Sequence, residues 1–321
     1  MVRFLSMLAG LPFLASLVSG YANPKACSGV CTNAHDPSIV RRDDGTYFRF
    51  STGGKVAVHT APDITGPWKY EGAAIPDGSS IDLKGSDDLW APDVQKVGDY
   101  YYLYYSVSSF GTQDSAIGVA RSKTMDVGSW EDGGSTGITS DKSKAYNAID
   151  PNLIEVDGAF HVSFGSYWQG IYQTSMRDPP ILSSGTPAQI GFTSNSEVLE
   201  APYIFKHGEF FYLFTSKGSC CGYDKTRPAK GKEYRVLVCR SSTATGGFVD
   251  KDGVDCAKDG GTVVLESHGN VYGPGGQGVY NDPTNGPILY YHYVDTTVGY
   301  ADGDKRFGWN TIDFSSGWPV V

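Results

Sequence analysis

Three acids far apart in the chain each stand at or beside a proline: Asp36 in His35-Asp36-Pro37, Asp150 in Ile149-Asp150-Pro151, and Glu200 in Glu200-Ala201-Pro202. Singly such dipeptides mean little, because Asp before Pro commonly initiates a turn. Gathered into one sugar-sized cleft, however, three carboxylates have what glycosidic bond hydrolysis needs. One carboxylic acid protonates the departing oxygen, and a carboxylate activates water or attacks directly. For Glu200 to hold a proton near neutral pH, its pKa must rise above the usual value of about 4.3, and an ionised Asp150 nearby would push it that way.

What gathers them is a repeat. The stretch from Asn147 to Ile154, continued by Gly158-Ala159-Phe160-His161-Val162-Ser163-Phe164-Gly165-Ser166, runs from an acid and a proline through apolar residues and a Gly turn to an aromatic-rich segment. The same pattern recurs at His35 to Ser51, Trp90 to Ser106 and Glu200 to Ser216. It recurs in weaker form from Gly273-Pro274-Gly275-Gly276 to Tyr293. Proline lacks a donor and suits the start of a strand, while β-branched and aromatic residues fit a pleated, half-buried surface, so each copy reads as a β-hairpin. Five copies about fifty to seventy residues apart predict an all-β five-bladed β-propeller with blades of four-stranded antiparallel sheets. Radial blades place equivalent residues of different copies at one end of the central axis, where the acids of copies one, three and four converge. The fifth copy has no acid at its proline, and its Gly-rich loop lets the backbone approach the axis; without a following Lys-Ser/Thr it is no phosphate loop.

Met1-Val2-Arg3 followed by the apolar run Phe4 to Leu17 and small residues to Gly20 reads as a secretory signal over 1–20. It is too short and too Pro-interrupted to span a bilayer, and no later stretch is long or apolar enough. A secreted, extracellular protein is expected, with one catalytic domain over 21–321 acting as a monomer. The net charge of −9 argues against nucleic acid or an anionic membrane as partner, since both select a basic face. The abundant Tyr, Phe and Trp serve blade cores and offer flat surfaces for sugar rings.

All six cysteines lie beyond the signal, as suits an oxidising compartment. Cys27 and Cys31 are close together before the first copy, and Cys239 and Cys256 flank a Gly-rich turn region. The adjacent Cys220 and Cys221 either bridge each other or bond two different partners. A zinc site is disfavoured because no Cys-x-x-Cys pair occurs. The chain carries no Asn-x-Ser/Thr sequon.

The set His35-Asp36-Pro37, Leu89-Trp90-Ala91-Pro92-Asp93, Asn147-Ala148-Ile149-Asp150-Pro151, Gly165-Ser166-Tyr167-Trp168 and Glu200-Ala201-Pro202-Tyr203 resembles glycoside hydrolase family 43, and within it the secreted endo-1,5-α-L-arabinanases. The resemblance runs in order from about Ala34 to the C-terminus. It implies an inverting mechanism with Asp36 as general base, Glu200 as general acid and Asp150 as the carboxylate that raises and orients the acid. Inversion implies base and acid about 6.5–9.5 Å apart, with room for a water. The resemblance also implies that Trp90 and Phe110 pack against arabinose rings, with Trp168 a further aromatic contact, and that Asn147 and Ser166 make polar contacts in the central subsite. No cofactor is required for the chemistry, but His292 resembles an axial histidine beside an ion, often calcium, which would be weakly held by one imidazole and waters. A seam between first and last blades is expected without a long shared strand, with Trp309 to Phe314 as a final strand and the Cys27–Cys31 segment helping to secure it.

The implied substrate is linear arabinan, the side-chain polymer of pectin. An exo-acting arabinofuranosidase or β-xylosidase of the same fold stays open, since the loops Ser106 to Ser115 and Gly218 to Lys232 set the openness of the cleft. A non-catalytic sugar-binding propeller would lack one of the three acids, and none is lacking. A protein-interaction propeller would carry a Trp-Asp blade signature, and the chain has none.

Overall fold

The computed structural model describes residues 20–321, so the signal expected over 1–20 lies, but for Gly20, outside the described residues. The described residues are all-β but for one 3-10 turn, Asp302–Asp304. The first blade comprises β1 (Ser38–Arg41), β2 (Tyr47–Ser51), β3 (Ala57–Ala61) and β4 (Lys69–Ala73), and the second β5 (Trp90–Val97), β6 (Tyr100–Val107), β7 (Ser115–Ser122) and β8 (Glu131–Ser140). The third comprises β9 (Asn152–Val156), β10 (Ala159–Phe164), β11 (Ile171–Met176) and β12 (Ala188–Gly191). The fourth comprises β13 (Leu199–His207), β14 (Phe210–Lys217), β15 (Arg235–Ser241) and β16 (Thr262–Leu265). The fifth is built from β17 (Val271–Asp282), β18 (Gly286–Asp295) and β19 (Arg306–Thr311).

Each sheet is an antiparallel meander, and the first strands β1, β5, β9, β13 and β17 touch one another in cyclic order, closing the five-bladed ring. The reason for the aromatic runs lies in the second strand of each blade. Tyr101, Leu103 and Tyr105 pack toward the first blade with Phe48, Phe50 and Val58, while Tyr102 and Tyr104 pack toward the third with Phe160 and Val162. Phe211 and Leu213 likewise face the third blade, and Tyr212 and Phe214 the fifth. A strand buried on both faces has no polar side, so its residues read as one apolar run despite the period of two.

The fifth sheet has three strands of its own, and the segment before the first blade supplies a fourth rail. Lys25 N–H donates to Trp309 O (2.9 Å), Phe307 N–H to Cys31 O (2.8 Å) and Ala34 N–H to Lys305 O (3.1 Å). The same segment is tied to the first blade, with Ser28 N–H donating to Thr65 O and Val30 N–H to Trp68 O, both at 2.8 Å. The Cys27–Cys31 disulfide spans the stretch between these ties. The seam is thus sealed by the residues expected to secure it, through main-chain bonding on both sides. The other disulfides are Cys239–Cys256 and the vicinal Cys220–Cys221, which resolves the two alternatives for that pair.

Candidate active site

The five inner strands begin with one repeated backbone device. Asp36, Ala91, Asp150, Ala201 and Gly276 all have positive φ, between 44° and 57°, and the first four precede prolines. In four blades the N–H of this residue donates to a side chain at the end of the second strand of the preceding blade. The pairs are Asp36 to His292 Nδ1 (3.0 Å), Ala91 to Thr52 Oγ1 (2.8 Å), Asp150 to Ser106 Oγ (3.0 Å) and Gly276 to Ser216 Oγ (3.0 Å). In the third blade that acceptor position is Gly165, which has no side chain. The Ala201 N–H bonds the Asp150 carboxylate instead, at 3.1 Å to Oδ2. The exception in the ring therefore ties Asp150 to the residue next to Glu200.

Two expectations change in this register. Asp36 and Asp150 occupy the same point of the repeat, but Glu200 lies one residue earlier, in the position held by Trp90 in the second blade and His35 in the first; the shared bulge places Trp90 opposite Ser106 and Glu200 opposite Ser216. In the fifth copy the matching residue is Gly276 and not the Pro274 region, since Gly275 stands opposite His292. Gly276 is required there. A Cβ on it would stand 2.4 Å from Asp36 Oδ1 and 2.7 Å from His292 Nδ1.

The three acids converge at this end of the axis, with different surroundings. Asp36 Oδ2 accepts from the Thr52 hydroxyl at 2.8 Å, and its Oδ1 lies 3.4 Å from His35 Nε2 and 3.5 Å from His292 Nδ1. Burial pushes the Asp36 carboxyl up to about 6, against the Thr52 hydroxyl and the Lys305 charge, which pull it down. Glu200 accepts from Tyr234 OH at Oε1 (2.7 Å) and from Ser166 OH at Oε2 (2.5 Å). Burial raises it and the two hydroxyls moderate the rise; Asp36 adds a further upward push. Asp150 is raised well above its ordinary range, by burial first and then by Glu200 and Asp36. The push on Glu200 expected from Asp150 is thus led by burial, with Asp36 the neighbouring charge.

Of the remaining expected residues, Ser166 is 2% exposed and orients Glu200. Asn147 is buried, its Oδ1 accepting from Ser115 (2.8 Å) and Ser140 (3.3 Å). Trp90 donates through Nε1 to Asp88 and meets Phe110 edge to face at 6.2 Å. Phe110 is 85% exposed on the loop after β6, and Trp168 and Tyr167 are exposed on the loop after β10, at the same end as the acids. Tyr167, Tyr234 and Lys305 escaped the sequence reading. They lie on loops between second and third strands, where the blades differ and no repeat position marks them. Tyr167 directly precedes Trp168 in the Gly165-Ser166-Tyr167-Trp168 stretch.

A divalent cation beside His292 does not fit this arrangement. With Nδ1 accepting from the Asp36 N–H, the ring proton sits on Nε2, and His292 is fully buried with no protein partner at that nitrogen. It presents a donor where a metal needs a lone pair. The neighbouring His35 has its Nδ1 engaged by the Lys305 ammonium at 3.3 Å, and a second cation in the His35, Asp36 and His292 cluster would meet that charge. Burial also pushes both histidines well below their usual range, so they stay neutral. No helix among the described residues is long and apolar enough to cross a membrane.

The model of Glycosyl hydrolases family 43 matches residues 30–319. Arabinan endo-1,5-alpha-L-arabinosidase A of Aspergillus niger is 59% identical over 323 residues, covering 100% of each chain. Among solved structures, a GH43 endo-arabinanase from Bacillus licheniformis superposes with a TM-score of 0.80 at 32% identity, covering 92% of this chain and 99% of that one. An exo-1,5-alpha-L-arabinanase from a bovine ruminal metagenomic library also reaches a TM-score of 0.80, at 29% identity, covering 91% and 98%. A five-bladed ring whose acids meet where the inner strands begin, matched over nearly its whole length, belongs to glycosyl hydrolase family 43.

Proposed function

We propose that this chain is a secreted endo-acting arabinanase that cleaves internal α-1,5-L-arabinofuranosidic bonds of linear arabinan with inversion. The observation that carries the reading is the division of labour among the three acids. Asp36 keeps one oxygen bonded to Thr52 and the other turned toward His35 and His292, and ionises near 6, as a base at mildly acidic to neutral pH must. Glu200 is buried and raised, as an acid that holds a proton must be.

In the reaction, Asp36 takes a proton from a water as that water's oxygen bonds to the anomeric carbon. The bond from this carbon to the O5 of the next arabinose breaks, and Glu200 gives its proton to that oxygen. Asp150, bonded to the Ala201 N–H, fixes the backbone beside Glu200. Trp90, Phe110 and Trp168, with Tyr167, offer rings to the furanose faces, and the Asn147 amide offers its NH2 to a sugar hydroxyl. The loop carrying Phe110 holds that ring out in solvent, as an open cleft for an internal stretch of polymer requires. Secretion through the 1–20 segment, a single catalytic domain over 21–321 and a monomeric state complete the reading.

The test is a time course on debranched linear arabinan, with arabinoxylan and aryl glycosides alongside. A spread of arabinose oligomers in the first minutes is expected. Arabinose alone from the outset would make the enzyme exo-acting, and binding without any product would make the propeller a sugar-binding module.

A further inference from the structure

Lys305 is a lysine almost fully withdrawn from water, 1% exposed, on the loop between β18 and β19 at the catalytic end of the ring. Buried lysines are rare unless paired. Its carboxylate partner, Asp302 (Nζ to Oδ1 3.0 Å), is half exposed, so that ion pair alone would not draw the ammonium inward. The ammonium goes on to reach His35 Nδ1 at 3.3 Å and Cys221 Sγ at 3.6 Å. Because Nδ1 accepts from Lys305, the neutral His35 ring carries its proton on Nε2, the nitrogen 3.4 Å from Asp36 Oδ1 and 3.9 Å from Cys221 Sγ.

The backbone repeats the same link. Asn33 N–H donates to Gly303 O (3.2 Å) and Ala34 N–H to Lys305 O (3.1 Å), so the turn holding the lysine and the segment holding Asp36 are fixed to each other. Gly222 N–H, beside the vicinal disulfide, donates to Asp302 at 3.3 Å and closes the far side of the cluster.

We infer that Lys305 is a positioning residue for hydrolysis: through His35 it fixes which imidazole nitrogen faces Asp36, and so holds the Asp36 carboxylate in the orientation from which it activates water. His35 thereby acquires a role that its place in the His-Asp-Pro motif did not disclose. The inference rests on Asp36 being the base, as proposed above.

The test compares Lys305→Met, Lys305→Arg and His35→Leu in the full-length enzyme on debranched arabinan, with kcat and KM determined separately and thermal melting followed alongside. Lys305→Met keeps the length of a buried side chain but removes the charge and its donors. Its kcat is expected to fall about 10- to 100-fold with KM within about twofold, since misplacing a reacting group costs turnover and not binding. Lys305→Arg, which retains charge and donors, recovers a measurable part of the loss. His35→Leu matches Lys305→Met, and the double variant loses little more than either single one, as a serial chain requires. A folded Lys305→Met enzyme with kcat within twofold of the wild type would overturn the inference. So would fully additive losses in the double variant, which also decide the matter should one single variant fold poorly. A wild-type enzyme inactive on arabinan would instead sink the underlying function, so the two failures are distinguishable.

Discussion

Asp36 and Asp93 are both carboxyls near the axis, Asp93 buried and Asp36 with 22% of its side chain exposed, and desolvation pushes both up to about 6, yet they stand in different kinds of surroundings. Asp93, deeper in the ring, spends its oxygens on the next blade and its own strand: it accepts from Leu153 N–H (2.8 Å), the Asn152 amide (3.3 Å) and the Gln95 amide (3.0 Å). Asp36 accepts one hydroxyl and turns its other oxygen toward two neutral imidazoles. A perturbed pKa therefore does not by itself mark a reacting group. What separates the two is whether the oxygens are used up by the fold.

Exchanging each for its amide should split the two roles. Asp36→Asn is expected to lower kcat about 100- to 10,000-fold with KM and melting temperature little changed, as removal of a general base does. Asp93→Asn replaces a carboxylate accepting three donors, and should cost about 1–3 kcal/mol of stability while turnover per folded molecule stays within about twofold. Steady-state kinetics with denaturant melts read both. Equal losses of turnover would erase the distinction.

The pH dependence should separate them again. The base works only when deprotonated, so kcat/KM should fall as the pH drops below about 6, the value to which burial brings Asp36. The raised pKa of Asp93 acts on stability. Its protonated form is favoured in the folded chain, so its contribution is full below the unfolded value of about 3.9 and lost as the pH rises through about 6. A rate profile flat down to pH 4 would remove Asp36 from the base role.

A smaller effect is expected on the acid side. Tyr234→Phe removes one of two hydroxyls on Glu200 and should reduce kcat about tenfold, with Ser166 still holding the other oxygen. Smallest of all, dialysis against a chelator should leave kcat unchanged, because Lys305 and the His292 tautomer already occupy the place of a cation beside Asp36; loss of turnover restored by calcium would contradict this.

The sequence made the ring legible because burial on both faces leaves a mark no other strand shows: Tyr100 to Tyr105 reads as an unbroken apolar run, five tyrosines around Leu103. The acids were legible because the proline after Asp36 and after Asp150 punctuates a backbone position that every blade repeats. Glu200 shows the limit of that reading. It is recognisable beside its proline, but its offset by one residue is set by a bulge whose register only strand pairing defines. Tyr234 and Lys305 had no pattern to betray them, since each reaches the site from a loop peculiar to its own blade.

The ring is shut by residues 25–34, laid against β19 on one side and the first blade on the other, and Asp36 follows two residues later. The earliest part of the described chain therefore finds one partner in the first blade and its second only in the latest part. Until the fifth blade is in place, the Asp36 N–H lacks its His292 acceptor and His35 has no lysine to meet. Closure of the ring and completion of the base's surroundings consequently draw on the same residues from both ends of the chain.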